Sequence, residues 1–118
     1  MAIVGNVIGG YDTNTRHWRV TITGVTATNQ SPVFSGKGYP IGTAVSSGTI
    51  TTGSLQWWAS NDGVTFAKVG AAITTSPLIT VLASPDNGVF AFYYLDATAL
   101  SAGGPVAAVI DFVSQNAS

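Results

Sequence analysis

The sequence predicts an all-β fold, an antiparallel β-sandwich or barrel with about 7–9 strands, on three observations. Residues that favour exposed helices are nearly missing: there is no Glu, Lys stands only at 37 and 68, and Val, Ile, Thr, Ser and Gly fill the chain. Apolar and polar residues alternate with period two where the pattern is cleanest, with Trp18, Val20 and Ile22 on one side and Arg19, Thr21 and Thr23 on the other. Turn-forming clusters recur at the spacing typical of sandwiches and barrels, at Ser60-Asn61-Asp62-Gly63, at Ser84 to Gly88 and at Ser101 to Pro105.

The 118 residues make one domain, long enough for a core. Residues 1–15 read as an N-terminal arm or an edge strand, and residues 16–118 as the sandwich. The opening MAIVGNVIGG is apolar and ends in the flexible pair Gly9-Gly10; it would either add a strand to a neighbouring subunit or form the first edge strand of its own sheet. A half-buried strand follows from Trp18. Ser31 to Ser35 and Thr43 to Thr52 are shorter, weakly patterned pieces broken by Gly and Pro, expected to hold one or two strands and their connections.

LQWWASNDGVTFAKVG, Leu55 to Gly70, is the strongest local signal: two strand-like runs flank a turn in which Gly63 supplies the positive φ of a bulged hairpin. Leu78 to Ala83 and Val89 to Leu95 flank the second turn, where Pro85 suits the first central position because its φ is preset. The last strand, Val106 to Val113, follows the Gly103-Gly104 break.

Two strands are apolar on both faces. Val89 to Leu95 divides into Val89, Ala91, Tyr93, Leu95 and Phe90, Phe92, Tyr94; Val106 to Val113 divides into Val106, Ala108, Ile110, Phe112 and Ala107, Val109, Asp111, Val113. Only one face of a sandwich sheet meets the core, so the other needs cover from the same chain or from a second subunit. Burying Phe90, Phe92 and Tyr94 at roughly 1.5–3 kcal/mol each would drive association. Trp57 and Trp58 point to opposite faces; with Leu55, Trp57 and Ala59 inward, Trp58 looks outward and is a candidate protein-contact residue or sugar-stacking platform. Arg16 and Arg19 are candidates for pairing with acidic groups of a partner.

Charged residues make up 8% of the chain, against about 25% in ordinary soluble domains. Such a surface fits either a protein largely covered by partners in an assembly or a Thr/Ser-coated extracellular domain. A net charge of −1 provides no field to attract nucleic acid or membranes, so neither is expected as a partner. With no Cys there is no disulfide framework, and stability must come from packing, with or without oligomerisation. Met1 to Gly10 has neither a basic n-region nor a long apolar run, from which synthesis and retention in the cytoplasm until assembly are expected.

No catalytic, cofactor or metal site is expected. His17 is the only histidine, set between Arg16 and Arg19 and without a nucleophile-elbow pattern. Of the five carboxylates, Asp12, Asp62, Asp86, Asp96 and Asp111, three lie in or beside turn signals where they bond local backbone. Zinc in its usual ligation lacks Cys and His; calcium on Asp62 or Asp86 has no spacing signature; phosphate loops are absent.

LQWWASNDGVTFAKVG, the late aromatic strand FAFYYL and the Gly-broken final hairpin together resemble small Thr/Gly-rich sandwich proteins of tailed-phage virions, the capsid decoration or cement class, over Leu55 to Val113. That resemblance implies a jelly-roll module on the outer surface of an icosahedral shell, bridging neighbouring copies of the major capsid protein, as a homodimer or homotrimer. A similar Leu-Gln to Ser-Asn-Asp-Gly string occurs in discoidin-type carbohydrate-binding domains, which are longer and carry an Arg-Tyr-rich strand where this chain has FAFYYL. The competing expectations are a tail- or fibre-associated glycan-binding module using Trp58 and Asn61-Asp62, and a self-assembling single jelly-roll capsid protein.

Overall fold

The computed structural model describes residues 2–12, 17–75, 78–84 and 88–113. Within them the β-branched segments form nine strands: β1 (Asn6–Asp12), β2 (His17–Val25), β3 (Phe34–Ser35), β4 (Ile41–Gly53), β5 (Leu55–Ser60), β6 (Ala67–Ile73), β7 (Leu78–Ala83), β8 (Phe92–Asp96) and β9 (Leu100–Val113). They pair antiparallel into a five-stranded sheet of order β1-β2-β9-β4-β7 and a four-stranded sheet of order β3-β8-β5-β6. The result is an all-β sandwich with jelly-roll-like topology.

Period-two alternation supplies the core. Val20, Ile22, Ala44, Leu82, Val106, Ala108, Ile110 and Phe112 come inward from the five-stranded sheet, and meet Phe34, Leu55, Trp57, Ile73, Tyr93 and Leu95 from the other. Rings fill the middle: Phe34 stacks on Tyr93 at 5.8 Å between centroids, meets Trp57 edge-on at 6.2 Å, and Tyr93 packs on Phe112 at 5.5 Å. Trp18 closes one flank, half-buried, with its Nε1–H donating to the Ser35 carbonyl at 2.9 Å and the Lys37 ammonium 5.1 Å from its ring.

One corner links the sheets. Only Ser54 separates β4 from β5, and only residues 97–99 separate β8 from β9. Because Gly53 pairs with Leu100 on one side of the corner and Gln56 with Asp96 on the other, a whole strand pair passes from one sheet into the next. The segment between β2 and β3 is sewn to this corner: Thr28 N–H donates to Ala97 O at 2.9 Å, and Ala97 N–H donates to Asn29 O at 2.8 Å. Ser31 continues the seam. Its N–H donates to Leu95 O at 2.8 Å, and Leu95 N–H donates back to Ser31 Oγ at 2.9 Å, so a hydroxyl stands where a neighbouring strand would offer a carbonyl.

Several strand boundaries differ from the sequence expectation. Thr43 to Thr52 is not a set of short pieces but part of the 13-residue β4. Ser101 to Pro105 does not end a strand, because it lies inside the 14-residue β9. Gly103 and Gly104 take φ of 122° and 80°, and the β4–β9 ladder absorbs the irregularity as register shifts between Gly48 and Gly53. The second run of the Ser60–Gly63 hairpin begins only at Ala67. Val89 to Leu95 starts as a strand at Phe92, after a bend at Ala91, which moves Phe90 off the outer face. Residues 6–12 form an edge strand on β2, and Ile3 bridges Gln30 in the same chain. Ser84 and Gly88 close the second turn by exchanging backbone hydrogen bonds of 2.9 and 3.3 Å; Pro85, Asp86 and Asn87 lie outside the described residues.

Candidate protein interface

The outer face of the four-stranded sheet carries an aromatic ladder. Trp58 on β5 lies in register with Lys68 on β6 and Tyr94 on β8. The Trp58 and Tyr94 rings are parallel to within 2° with centroids 6.2 Å apart, and the Lys68 ammonium sits 5.9 Å from the Trp58 ring. Phe66 meets Tyr94 edge-on at 5.1 Å. Phe92 lies one pair further along β8, opposite Ser60. Trp57, by contrast, is fully buried, as alternation from Leu55 requires.

Residues 61–66 fold back over this face. Ser60 Oγ accepts from the backbone N–H of Gly63 at 2.9 Å and donates to Asp62 Oδ1 at 2.9 Å; that oxygen accepts in turn from Val64 and Thr65 N–H at 2.8 and 2.9 Å. The Thr65 and Val64 amides, followed by the Ser60 hydroxyl, stabilise the charged form and pull the Asp62 carboxyl down to about 2. Gly63, at φ 79°, brings the loop over the Phe92 ring: a Cβ there would lie 3.4 Å from it. The chain thus partly covers its own aromatic strand, and Phe92 and Tyr94 end half-buried rather than open.

Phe90 departs from the expectation of an outward residue. It packs against the core with Tyr93 edge-on at 6.3 Å, and its N–H donates to the Tyr93 hydroxyl at 3.3 Å. The bend at Ala91 breaks the alternation that would have set Phe90 beside Phe92. Burial holds the Tyr93 phenol above its ordinary value.

Arg19 belongs to the opposite side of the molecule. It lies on the outer face of the five-stranded sheet and pairs with Asp111 through two hydrogen bonds, Nε at 2.6 Å and the second guanidinium nitrogen at 3.3 Å. Arg16 and the side chain of His17 lie outside the described residues. The structure therefore brings Trp58, Phe92 and Tyr94 together, and separates them from Arg19 and Phe90.

A second surface escaped the sequence reading. Ile8, Thr21, Val109, Val45 and Ile79 stand in register as one row across all five strands, one residue from each. Ile8 is 69% exposed, Val109 40%, Val45 43% and Ile79 68%, and Val81 in the adjoining row is 44% exposed. The signal was present in the two-faced character of Val106 to Val113, but its continuation through Ile79 and Val81 depends on a strand order that only pairing reveals. Asp62 and Asp96 bond local amides and Asp111 pairs with Arg19, while among the described residues no three metal-binding side chains converge.

No protein-family model matches the chain, and no curated protein matches it. The two outer faces therefore carry the functional reading. The half-buried Trp58 stands between Tyr94 of β8 and Lys68 of β6, with its Nε1 buried.

Proposed function

We propose that this chain is a structural virion protein that decorates a phage capsid on its outer surface and stabilises it by bridging neighbouring copies of the major capsid protein. The observation that carries the reading is the aromatic ladder of Trp58, Tyr94, Phe66 and Phe92 on a sheet face that a free-standing sandwich would make polar. Aromatic residues are enriched at the centres of protein interfaces, and this face shares that enrichment, with Lys68 as a charged neighbour of Trp58. The 8% charge content and the resemblance of Leu55 to Val113 to decoration proteins support the same reading. Modest affinity at each site suffices, because a shell repeats the contact many times.

The test is to add purified chain to shells assembled without it. Expected are co-sedimentation with the shells and a higher temperature of shell disruption, with Trp58→Ala weakening binding about tenfold or more while leaving the far-UV spectrum unchanged. Failure to bind such shells, or equal heat stability with and without the chain, overturns the reading.

A further inference from the structure

We propose that the outer face of the five-stranded sheet packs against the same face of a second copy of this chain, about a two-fold axis lying along the row Ile8, Thr21, Val109, Val45, Ile79. This inference rests on the geometry of that face and not on the virion reading.

The row crosses the sheet from edge to edge, and β9 with Val109 is the central strand of the five. Antiparallel sheets that face water carry polar residues there, whereas faces built of Val, Ile and Thr are the ones that stack on another sheet about 10 Å away. The molecule measures 41 × 29 × 21 Å. Two stacked sheets with their side chains account for the shortest dimension, which leaves the sheet faces as the broad sides. Such a side is larger than the roughly 800 Å² per partner that a stable interface takes.

The arrangement of charge selects a second copy as the occupant. Residues on a two-fold axis meet their own counterparts, a placement suited to uncharged β-branched side chains and costly for ions. Here the axis row carries no charge. The one ion pair of the face described, Arg19 with Asp111, is compensated within its own chain and lies one row away. Rotation about the row sets that pair over the flank of the partner occupied by Thr23, Ala107 and Ser47, all uncharged, so among the described residues no like charges are brought together. A net charge of −1 adds almost no long-range repulsion between copies. The dimer leaves both aromatic ladders free.

Sedimentation equilibrium of the full chain over a concentration series is the first test, with a dimer expected. Val109→Lys places an ammonium on the axis and should weaken dimerisation at least a hundredfold while leaving the far-UV spectrum, and the melting temperature at concentrations where the wild type is monomeric, unchanged. Because the chain has no Cys, Val109→Cys offers one reactive thiol. A short bismaleimide should link two copies of that variant covalently and fail to link Val64→Cys, whose site lies in the loop over the other sheet. A wild-type chain that stays monomeric at millimolar concentration, a dimer that Val109→Lys leaves intact, or linking through Val64→Cys but not Val109→Cys overturns the proposal. Val109 variants that lose shell binding without any wild-type dimer assign the face to the capsid protein instead, and also overturn it.

Discussion

Ser31→Ala removes a single buried hydroxyl and should destabilise the fold by about 1–3 kcal/mol, because the Leu95 N–H loses its acceptor in a place water does not reach. Ser31 and Leu95 are both fully buried, and the pair exchanges two hydrogen bonds of 2.8 and 2.9 Å. Alanine keeps the first, which comes from the Ser31 backbone, and deletes the second. With a urea m-value of about 1–3 kcal/mol/M for a small domain, the unfolding midpoint followed by far-UV circular dichroism should fall by roughly 1 M. Amide exchange at Leu95 should accelerate in the variant more than at neighbouring core amides. The control is Ser101→Ala: that hydroxyl, exposed, donates to Thr52 O at 3.2 Å, and its loss should cost under about 0.5 kcal/mol. Equal midpoints for Ser31→Ala and wild type would refute the reasoning, since Leu95 N–H would then have an acceptor other than Ser31.

Three further outcomes are expected. The Asp62 carboxyl should titrate near 2 rather than at 3.8, so its contribution to loop 61–66 is complete above the unfolded value and is lost as pH falls from 3.8 towards 2; a side-chain carbon NMR titration with a midpoint near 3.8 would contradict the loop geometry. Gly42→Ala would place a Cβ 2.5 Å from the ring of Phe112, which Tyr93 and Phe34 hold from behind, and the overpacking should cost about 1–3 kcal/mol; an unchanged melting temperature would show that the ring has room to retreat. A double-mutant cycle on Arg19 and Asp111 should give a coupling of only about 0.2–1 kcal/mol that shrinks with added salt, because both side chains are substantially exposed.

Alternation within one strand was legible without a structure. Trp57 and Trp58 on opposite faces, Val20 and Ile22 on one face, and Val106, Ala108, Ile110 and Phe112 on one face follow from a two-residue period that needs no partner to operate. Gly63 with positive φ was legible for the same reason, as a demand of local backbone geometry. Where local rules meet a bend they fail, as at Ala91, and Phe90 changes sides. β7 shows a second limit: Ile79 and Val81 face out while Thr80 is buried, an outcome that hydrophobicity alone would reverse.

Composition and local periodicity were thus enough to dictate an all-β sandwich and to sort most side chains of the clearest strands into two faces. Which face meets the core, which strands neighbour each other and what covers the remainder were decided by contacts between residues far apart in the chain. Breaks at Gly48 and at Gly103-Gly104 looked like strand ends because the 54 residues between Gly48 and Gly103 hide that they meet in one long ladder. The row from Ile8 to Ile79 draws one residue from each of five strands, so it comes into being only when the sheet is assembled. The cover over Phe92 and Tyr94 likewise depends on where loop 61–66 lands, which is a property of the packed layers and not of any one segment.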